Sequence, residues 1–380
     1  MSTRFHYMDN LRALAMLSGV VFHAALAYSV LAHPFVPTAD SAQSVGVDVG
    51  IWFLHLFRMP LYFVVAGFFA AMLVAKRGLG GLFRNRLRRI ALSFLIFWPL
   101  AHWALEYSTM QAVATVLHPS PLLALIRQYA NAAGLPEQLP VTSHLWFLYY
   151  LMFFYVLVWS AKSFDLGRLG KIVRGLSPTW LLGVLPLLLV PALASVSAPN
   201  PAPESFLPQF WAFGYFGPFF AFGYLLFGHE AMIERLKPLA PWLLAAGLLL
   251  YVAFWYLVHQ HAPSAQDPNA SVLIAVVEAY LSVWMTCVCL LAGRSLLDRS
   301  NAVLRYLSDA SYWTYIAHLP VLFAIQYRLL DSNLPWGLKF ALAVLATFGL
   351  CLLSYHYFVR STPLGDLLGT RAPAAMLPAK

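Results

Sequence analysis

Apolar runs long enough to cross a lipid bilayer recur along the whole chain, and they leave few folds open to it. A membrane helix needs about 20 mostly apolar residues. About ten runs approach or exceed that length, and we expect each to be a membrane-spanning helix: 11–31, 47–75, 91–106, 145–161, 180–198, 210–227, 242–259, 272–292, 310–327 and 336–358. The second run contains Pro60, where a kink or tilt is expected.

The composition agrees with a polytopic membrane protein. Charged residues make up 10% of the 380-residue chain, against about 25% in soluble domains, and the mean hydropathy is +0.70. No soluble domain is apparent, so we predict one all-α transmembrane helical bundle over residues 1–380. The net charge of +9 does not indicate nucleic-acid binding, because the basic residues lie in short loops between apolar runs. The three cysteines lie inside apolar runs, so no disulfide is expected.

The basic residues also predict the topology. Twenty of the 24 Lys and Arg residues fall on one side of the predicted spans, in the N-terminal segment, in loops such as 76–89 and 162–174, and in the tail after residue 359. By the positive-inside rule this side is cytoplasmic, as are both termini. The first run is too long for a cleaved signal peptide and contains Arg12 and His23. We therefore expect a multi-pass protein of the bacterial inner (plasma) membrane.

Arg12 and His23 are the first polar pair of interest. Eleven residues of α-helix make about three turns with roughly 20° left over, so both side chains share one face, about 16 Å apart along the axis. If the helix spans the membrane, Arg12 lies at an interface and His23 lies near the bilayer centre. An ionisable group at that depth is a functional hypothesis by default.

Several other polar residues fall inside or at the end of predicted spans: His55, Arg58, His102, His144, Glu278, His318 and His356. His55 and Arg58 are three residues apart and face the same way on a helix. Arg58 has two interpretations: a structural ion pair with Glu278, or a place in the lining of a polar cavity with His23 and His55. We favour the cavity. No two of these histidines have a zinc-ligand spacing on one helix, so no metal is expected.

An arginine-rich loop at 84–90 (RNRLRRI) precedes the third span. It can act as a topological anchor attracted to anionic lipid. Arg86, Arg88 and Arg89 can also form a phosphate-binding patch at the cytoplasmic mouth of the cavity. The two interpretations are compatible.

These residues together resemble the acyltransferase-3 family of integral membrane acyltransferases. The spacing of Arg12 and His23 is similar to the family's most characteristic motif, and four further stretches match in order: 63–68 (FVVAGF), 84–90, 144–148 (HLWFL) and 312–318 (YWTYIAH). Within the family the chain looks closest to the glucan biosynthesis protein C group, which is associated with succinylation of periplasmic glucans. Two positions depart from the family pattern: no proline closely follows the arginine cluster, and Ala66 replaces the usual serine.

The resemblance implies O-acyl transfer, with a succinyl or acetyl group moving from a cytoplasmic acyl-CoA to a hydroxyl of an extracytoplasmic glycan. Acyl-CoA is then a donor substrate, with no tightly bound cofactor. His23 is the expected general base, with a transient acyl carrier as its alternative role. Arg12 contacts the donor, and His55 and Arg58 stabilise the oxyanion. Arg86, Arg88 and Arg89 hold the nucleotide, and the acceptor side comprises His144, Trp146, Glu278 and His318.

Two other function classes fit the same composition. A secondary transporter can use buried His, Arg and Glu residues as a substrate or proton pathway. Such transporters usually contain internal repeats and paired interrupted helices, and the sequence shows neither. A non-catalytic export or assembly factor for a glycan is the third class, and it would tolerate loss of His23.

Overall fold

The structure is a computed structural model, and it describes residues 5–132, 140–163, 177–261, 268–299 and 301–369. Two basic segments that we predicted to be cytoplasmic lie outside the described residues. They are the loop with Arg168, Lys171 and Arg174, and the end of the tail with Arg371 and Lys380.

Helices dominate the described residues, which confirms the all-α class. In chain order they are α1 (His6–Leu26), α2 (Val45–Arg86), α3 (Leu92–Thr115), α4 (Pro121–Ala132), α5 (Trp146–Ser163), α6 (Pro178–Gly183), α7 (Leu185–Leu193), α8 (Phe210–Leu226), α9 (Ala231–Leu236), α10 (Ala240–His261), α11 (Pro268–Leu296), α12 (Ala302–Leu330), α13 (Trp336–Ser354) and α14 (Pro363–Leu368). Two π-helical turns, Leu87–Ala91 and Tyr355–Val359, interrupt this series. One antiparallel bridge joins Val141 to Ser205.

Within the described part of the chain, five helical segments are long and apolar enough to cross a membrane: Val45–Thr115, Ser143–Ala161, Ala231–Gln260, Ser271–Leu296 and Trp336–Val359. Two shorter apolar helical segments are Trp180–Leu193 and Phe210–Leu226. Helices α1 and α12 are not among the five, although they contain 21 and 29 residues, because polar side chains lower their mean hydropathy. The number of about ten spans and the cytoplasmic termini stay predictions.

The chain folds into two compact units that alternate along the sequence. Unit 1 comprises Met1–Ala15, Asp48–Arg86 and Leu139–Ser300, and unit 2 comprises Met16–Val47, Leu87–Gln138 and Asn301–Lys380. Each unit therefore combines segments that are far apart in the sequence.

In unit 1, α2 and α8 approach until their backbones touch. A Cβ atom on Gly67 would collide with the carbonyl oxygen of Phe220, and one on Gly223 would collide with that of Val64. Small residues permit such close helix packing in membrane proteins. The glycine of the FVVAGF stretch thus has a packing role. Pro60 lies within helix α2, and the non-helical backbone of α2 is at Gly78, with φ 66° and ψ 179°.

In unit 2, side chains bind the backbone at helix ends and between helices. Asn301 caps α12, because its side chain accepts a hydrogen bond from the Leu304 N–H at 2.7 Å. Arg127 donates to the carbonyls of Val113 and Val116, both at 2.7 Å, at the C-terminal end of α3. Arg127 is the only Lys or Arg in residues 107–143. These hydrogen bonds give it a structural role.

Candidate functional site

His23 of α1 and His318 of α12 lie beside each other in unit 2. Their ring centroids are 5.3 Å apart, and the ring planes are inclined by 44°. Gln326, about two turns further along α12, donates to the Ala24 carbonyl at 3.0 Å and so holds α1 beside α12. The structure therefore brings together two histidines that are 295 positions apart in the sequence.

The hydrogen bonds of His318 orient its ring. The side chain is almost completely buried, and its Nδ1 lies 2.7 Å from the carbonyl oxygen of Tyr315. A carbonyl only accepts, so Nδ1 carries the proton and Nε2 is the acceptor nitrogen of the neutral ring. The contact with the Tyr315 carbonyl therefore fixes the direction of the His318 ring beside His23.

Arg12 lies on the same continuous helix as His23, as predicted, and belongs to unit 1. Its guanidinium is 3.4 Å from the Asp9 carboxylate and packs over the ring of Phe69, 5.4 Å from the centroid. The buried hydroxyl of Tyr62 is under the electrostatic influence of both Arg12 and Arg58. Tyr62 was not predicted as a site residue, although it is four residues after Arg58 and so on the same helical face.

His55 and Glu278 are linked through one loop residue of unit 1. His55 Nε2 lies 2.7 Å from the carbonyl oxygen of Asn200, and the Asn200 N–H donates to Glu278 Oε1 at 3.1 Å. Asn200 and Glu278 are both buried. We call His55, Asn200 and Glu278 the Asn200 cluster. The partner that the structure gives Glu278 is thus a backbone amide rather than the Arg58 guanidinium, the partner in the less favoured of the two interpretations of Arg58.

The loop that contains Asn200 folds onto the start of α5. The backbone N–H and the hydroxyl of Thr142 both donate to the Glu204 carbonyl, at 2.7 and 2.8 Å, and the Tyr149 hydroxyl donates to the Phe206 carbonyl at 2.7 Å. Glu204 itself is half-buried, and burial raises the pKa of its carboxyl from 4.5 to about 7. This loop, 197–209, has no Lys or Arg.

His144 and Trp146 lie at the start of α5, and both are buried. His144 belongs to the 3₁₀ turn Ser143–Leu145. The Trp146 ring contacts those of Phe63 and Phe216, with centroids 6.2 and 5.3 Å away. These contacts place Trp146 in the aromatic core of unit 1, and sugar stacking by Trp146 stays a prediction.

The three predicted phosphate-binding arginines divide between the units. Arg86 of unit 1 lies over the ring of Tyr155, 5.0 Å from its centroid. Arg88 and Arg89 belong to the π-helical turn Leu87–Ala91 of unit 2, where Arg88 is exposed and the Arg89 guanidinium packs against Gly369. Short π-helical turns are frequent at functional sites. Among the described residues, no group of three or more His, Cys, Asp or Glu is arranged to hold a metal ion.

A comparison with known families decides the class of the protein. The profile of the acyltransferase domain family matches residues 5–356, nearly the whole chain. The chain belongs to the acyltransferase domain family. It is therefore an enzyme that transfers acyl groups.

Curated relatives of this acyltransferase cover almost the same length. Proteins named glucans biosynthesis protein C from Salmonella typhi and Salmonella typhimurium are each 26% identical to it over 97% of this chain and 96% of their own. The protein of the same name from Salmonella schwarzengrund is 25% identical over the same shares. No solved structure matches the chain.

Sequence reasoning also missed a buried ion pair of the acyltransferase. In unit 2, Lys339 Nζ lies 2.8 Å from Asp40 Oδ2, and both side chains are at most 6% exposed. A signal was present, because Asp40 is the only carboxylate in the loop 33–44 and Lys339 is the only Lys or Arg in the last predicted span. The pair joins the loop after α1 to the start of α13.

Proposed function

We propose that this acyltransferase moves an acyl group from acyl-CoA to a hydroxyl of a glucan, with His23 as the general base. The contact between His23 and His318, with centroids 5.3 Å apart, is the observation that carries the proposal. It joins the histidine of the most characteristic family motif to a second, oriented imidazole. A general base needs an available lone pair and a fixed direction, and the contact with the oriented His318 ring restricts the direction of His23.

The reaction proceeds as follows. His23 accepts the proton of the glucan hydroxyl while the oxygen attacks the thioester carbonyl carbon. The tetrahedral intermediate then collapses, the carbon–sulfur bond breaks, and the CoA sulfur leaves with the proton from His23. Donors that stabilise the oxyanion lower the barrier most when they are fixed in advance. Arg58 has this role in the proposal, and His55, whose Nε2–H faces the Asn200 carbonyl at 2.7 Å, positions the neighbouring loop.

The two substrates come from opposite sides of a bacterial inner membrane. Arg86, Arg88 and Arg89 bind the phosphates of a cytoplasmic succinyl-CoA or acetyl-CoA. Arg12 contacts another part of the same donor molecule. The acceptor is extracytoplasmic and reaches the site from the loop 197–209, with His144, Trp146 and Glu278 on its path. A glucan acceptor is supported by the name of the relatives, glucans biosynthesis protein C.

Mass spectrometry of periplasmic and envelope glucans tests the proposal. Four strains are compared: wild type, a deletion, His23→Ala and His259→Ala. His259 is a matched control, because it is exposed at the end of α10 and its Nδ1 contacts the Trp255 carbonyl of the same helix. We expect an acyl mass increment in the wild type and the control only, with all three proteins present in the membrane. Identical glucans in all four strains would refute acyl transfer to glucan, and uptake into vesicles would then test transport.

A further inference from the structure

The side chain of Asn200 contains a buried hydrogen-bond acceptor, Oδ1, that is unsatisfied within the described part of the chain. The residue is 4% exposed, and its Oδ1 has no hydrogen-bond partner among the described residues. The contacts that hold Asn200 in place are made by its backbone, whose carbonyl faces His55 and whose N–H binds Glu278. The side chain is therefore not needed to anchor the loop.

A buried acceptor without a donor lowers stability, because the group loses its hydrogen bonds to water on folding. Such groups are uncommon in native proteins and require an explanation. Leucine has a similar size and no such penalty, so packing alone does not account for an asparagine at this position. The chemistry of the atom identifies what is missing, since a carbonyl oxygen binds a hydrogen-bond donor and not an anion.

We propose that Asn200 Oδ1 binds a hydroxyl of the acyl acceptor and that the Asn200 cluster is the acceptor-binding subsite. This inference rests on the proposed function and adds a binding residue to it. The loop 197–209 has no Lys or Arg, which suits an uncharged polyhydroxyl compound. His55 and Glu278 fix the Asn200 backbone from two helices, α2 and α11, so the amide is held in position before the acceptor arrives.

Two substitutions separate binding from structure. Asn200→Leu removes the acceptor oxygen and keeps the volume, whereas Asn200→Asp keeps an oxygen at the same place. Gln209→Leu is the matched control in the same loop, because the Gln209 Oε1 already accepts from the Trp211 indole at 2.9 Å. We expect Asn200→Leu to raise the Kd for acceptor about tenfold, Asn200→Asp to stay within about threefold of wild type, and Gln209→Leu to leave this Kd unchanged.

The measurement is isothermal titration calorimetry of the purified full-length proteins in detergent. The probe is the glucan fraction from cells that lack the protein, titrated first without acyl-CoA. Thermal unfolding of the same samples is recorded in parallel. We expect Asn200→Leu to unfold at the same or a higher temperature than wild type, because a buried unmet acceptor has been removed. In steady-state assays its KM for glucan should rise while kcat and the KM for acyl-CoA stay within about twofold.

The outcomes distinguish this inference from the proposed function. If the wild type transfers acyl groups and Asn200→Leu binds glucan equally well, the subsite is wrong and the function stands. If the wild type binds glucan but transfers nothing, the function fails and the Asn200 effect on Kd still decides the subsite. If the wild type neither binds nor transfers, both are overturned. Lower thermal stability of Asn200→Leu with the Kd unchanged would assign the side chain a structural role.

Discussion

One buried polar cluster in each of the two compact units is held together in a different way. In unit 2, Lys339 and Asp40 bind each other directly at 2.8 Å, and Asp40 also accepts from the Ala42 N–H at 2.9 Å. In unit 1, His55 and Glu278 both bind the backbone of Asn200, and the Asn200 Oδ1 has no hydrogen-bond partner among the described residues.

We interpret this difference as one between polar groups that stabilise the fold and polar groups that are available to a ligand. Where one buried charge neutralises another, removing either leaves the other buried without compensation, which is strongly destabilising. Where a backbone does the binding, the side chain can change with little loss of stability and is available for a ligand. We therefore expect substitutions in the ion pair of unit 2 to change the free energy of unfolding. We expect substitution of Asn200 in unit 1 to change the affinity for the acceptor.

The largest effect is expected at the ion pair of unit 2. Lys339→Ala leaves Asp40 buried without its partner and should lower the free energy of unfolding by about 3–5 kcal/mol. Chemical denaturation of the purified protein in detergent measures this. The control is His118→Ala, which breaks the exposed contact between His118 and Asp331 and should cost about 1 kcal/mol or less.

A double variant shows whether the loss comes from the stranded charge. Lys339→Met combined with Asp40→Asn removes both charges and keeps an acceptor for the Ala42 N–H. It should regain most of the stability lost in Lys339→Ala. If the double variant is as unstable as the single one, packing of the Lys339 stem rather than charge pairing accounts for the effect.

The histidine pair of unit 2 should respond through catalysis and not through stability. We expect His318→Phe to keep a ring against His23 while kcat falls about 100-fold, because the oriented imidazole is lost. The pH dependence of kcat should move as well, since a titratable neighbour of the general base has been removed. His318→Gln is the companion variant. An unchanged kcat with an unchanged pH profile would exclude His318 from the reaction.

The smallest effect is expected at Glu204, which lies in the loop 197–209 of unit 1. Burial raises its pKa in the folded protein from 4.5 to about 7, so the folded state binds more protons than the unfolded state between these values. Stability therefore falls as the pH rises from about 4.5 to 7. Glu204→Gln should flatten this part of the stability curve and be more stable than wild type at pH 8.

The sequence predicted the features that depend on local pattern. Apolar runs predicted helices, and the eleven-residue spacing placed Arg12 and His23 on one helix. The family followed from motifs that extend along nearly the whole chain. The predicted span limits are less accurate: α3 continues to Thr115 rather than ending near residue 106, because helices extend beyond the apolar stretch that defines a span. Pro60 is accommodated within α2, whereas the departure from helix occurs at Gly78, where glycine permits a positive φ.

Partners distant in sequence could not be read from the same patterns. Glu278 was a candidate ion-pair partner of Arg58 or a residue of the acceptor side. The structure gives it a different partner, the backbone N–H of Asn200. Asn200 itself carries no signal, because a single asparagine in a loop is ordinary in any sequence. Tyr62 and the pair of Lys339 with Asp40 did have a sequence signal, helical spacing in one case and isolated charges in the other. Their importance lies in burial, which only the structure shows.

By itself, the sequence determined the helical class, the membrane character and the acyltransferase family. These properties follow from hydrophobicity and spacing along the chain, which act over a few helical turns. The tertiary structure decided that His23 lies against His318, that Asn200 joins His55 to Glu278, and that Lys339 neutralises Asp40. The physical reason is that a buried polar group must find its partner in space, and helix packing rather than sequence separation decides which groups meet.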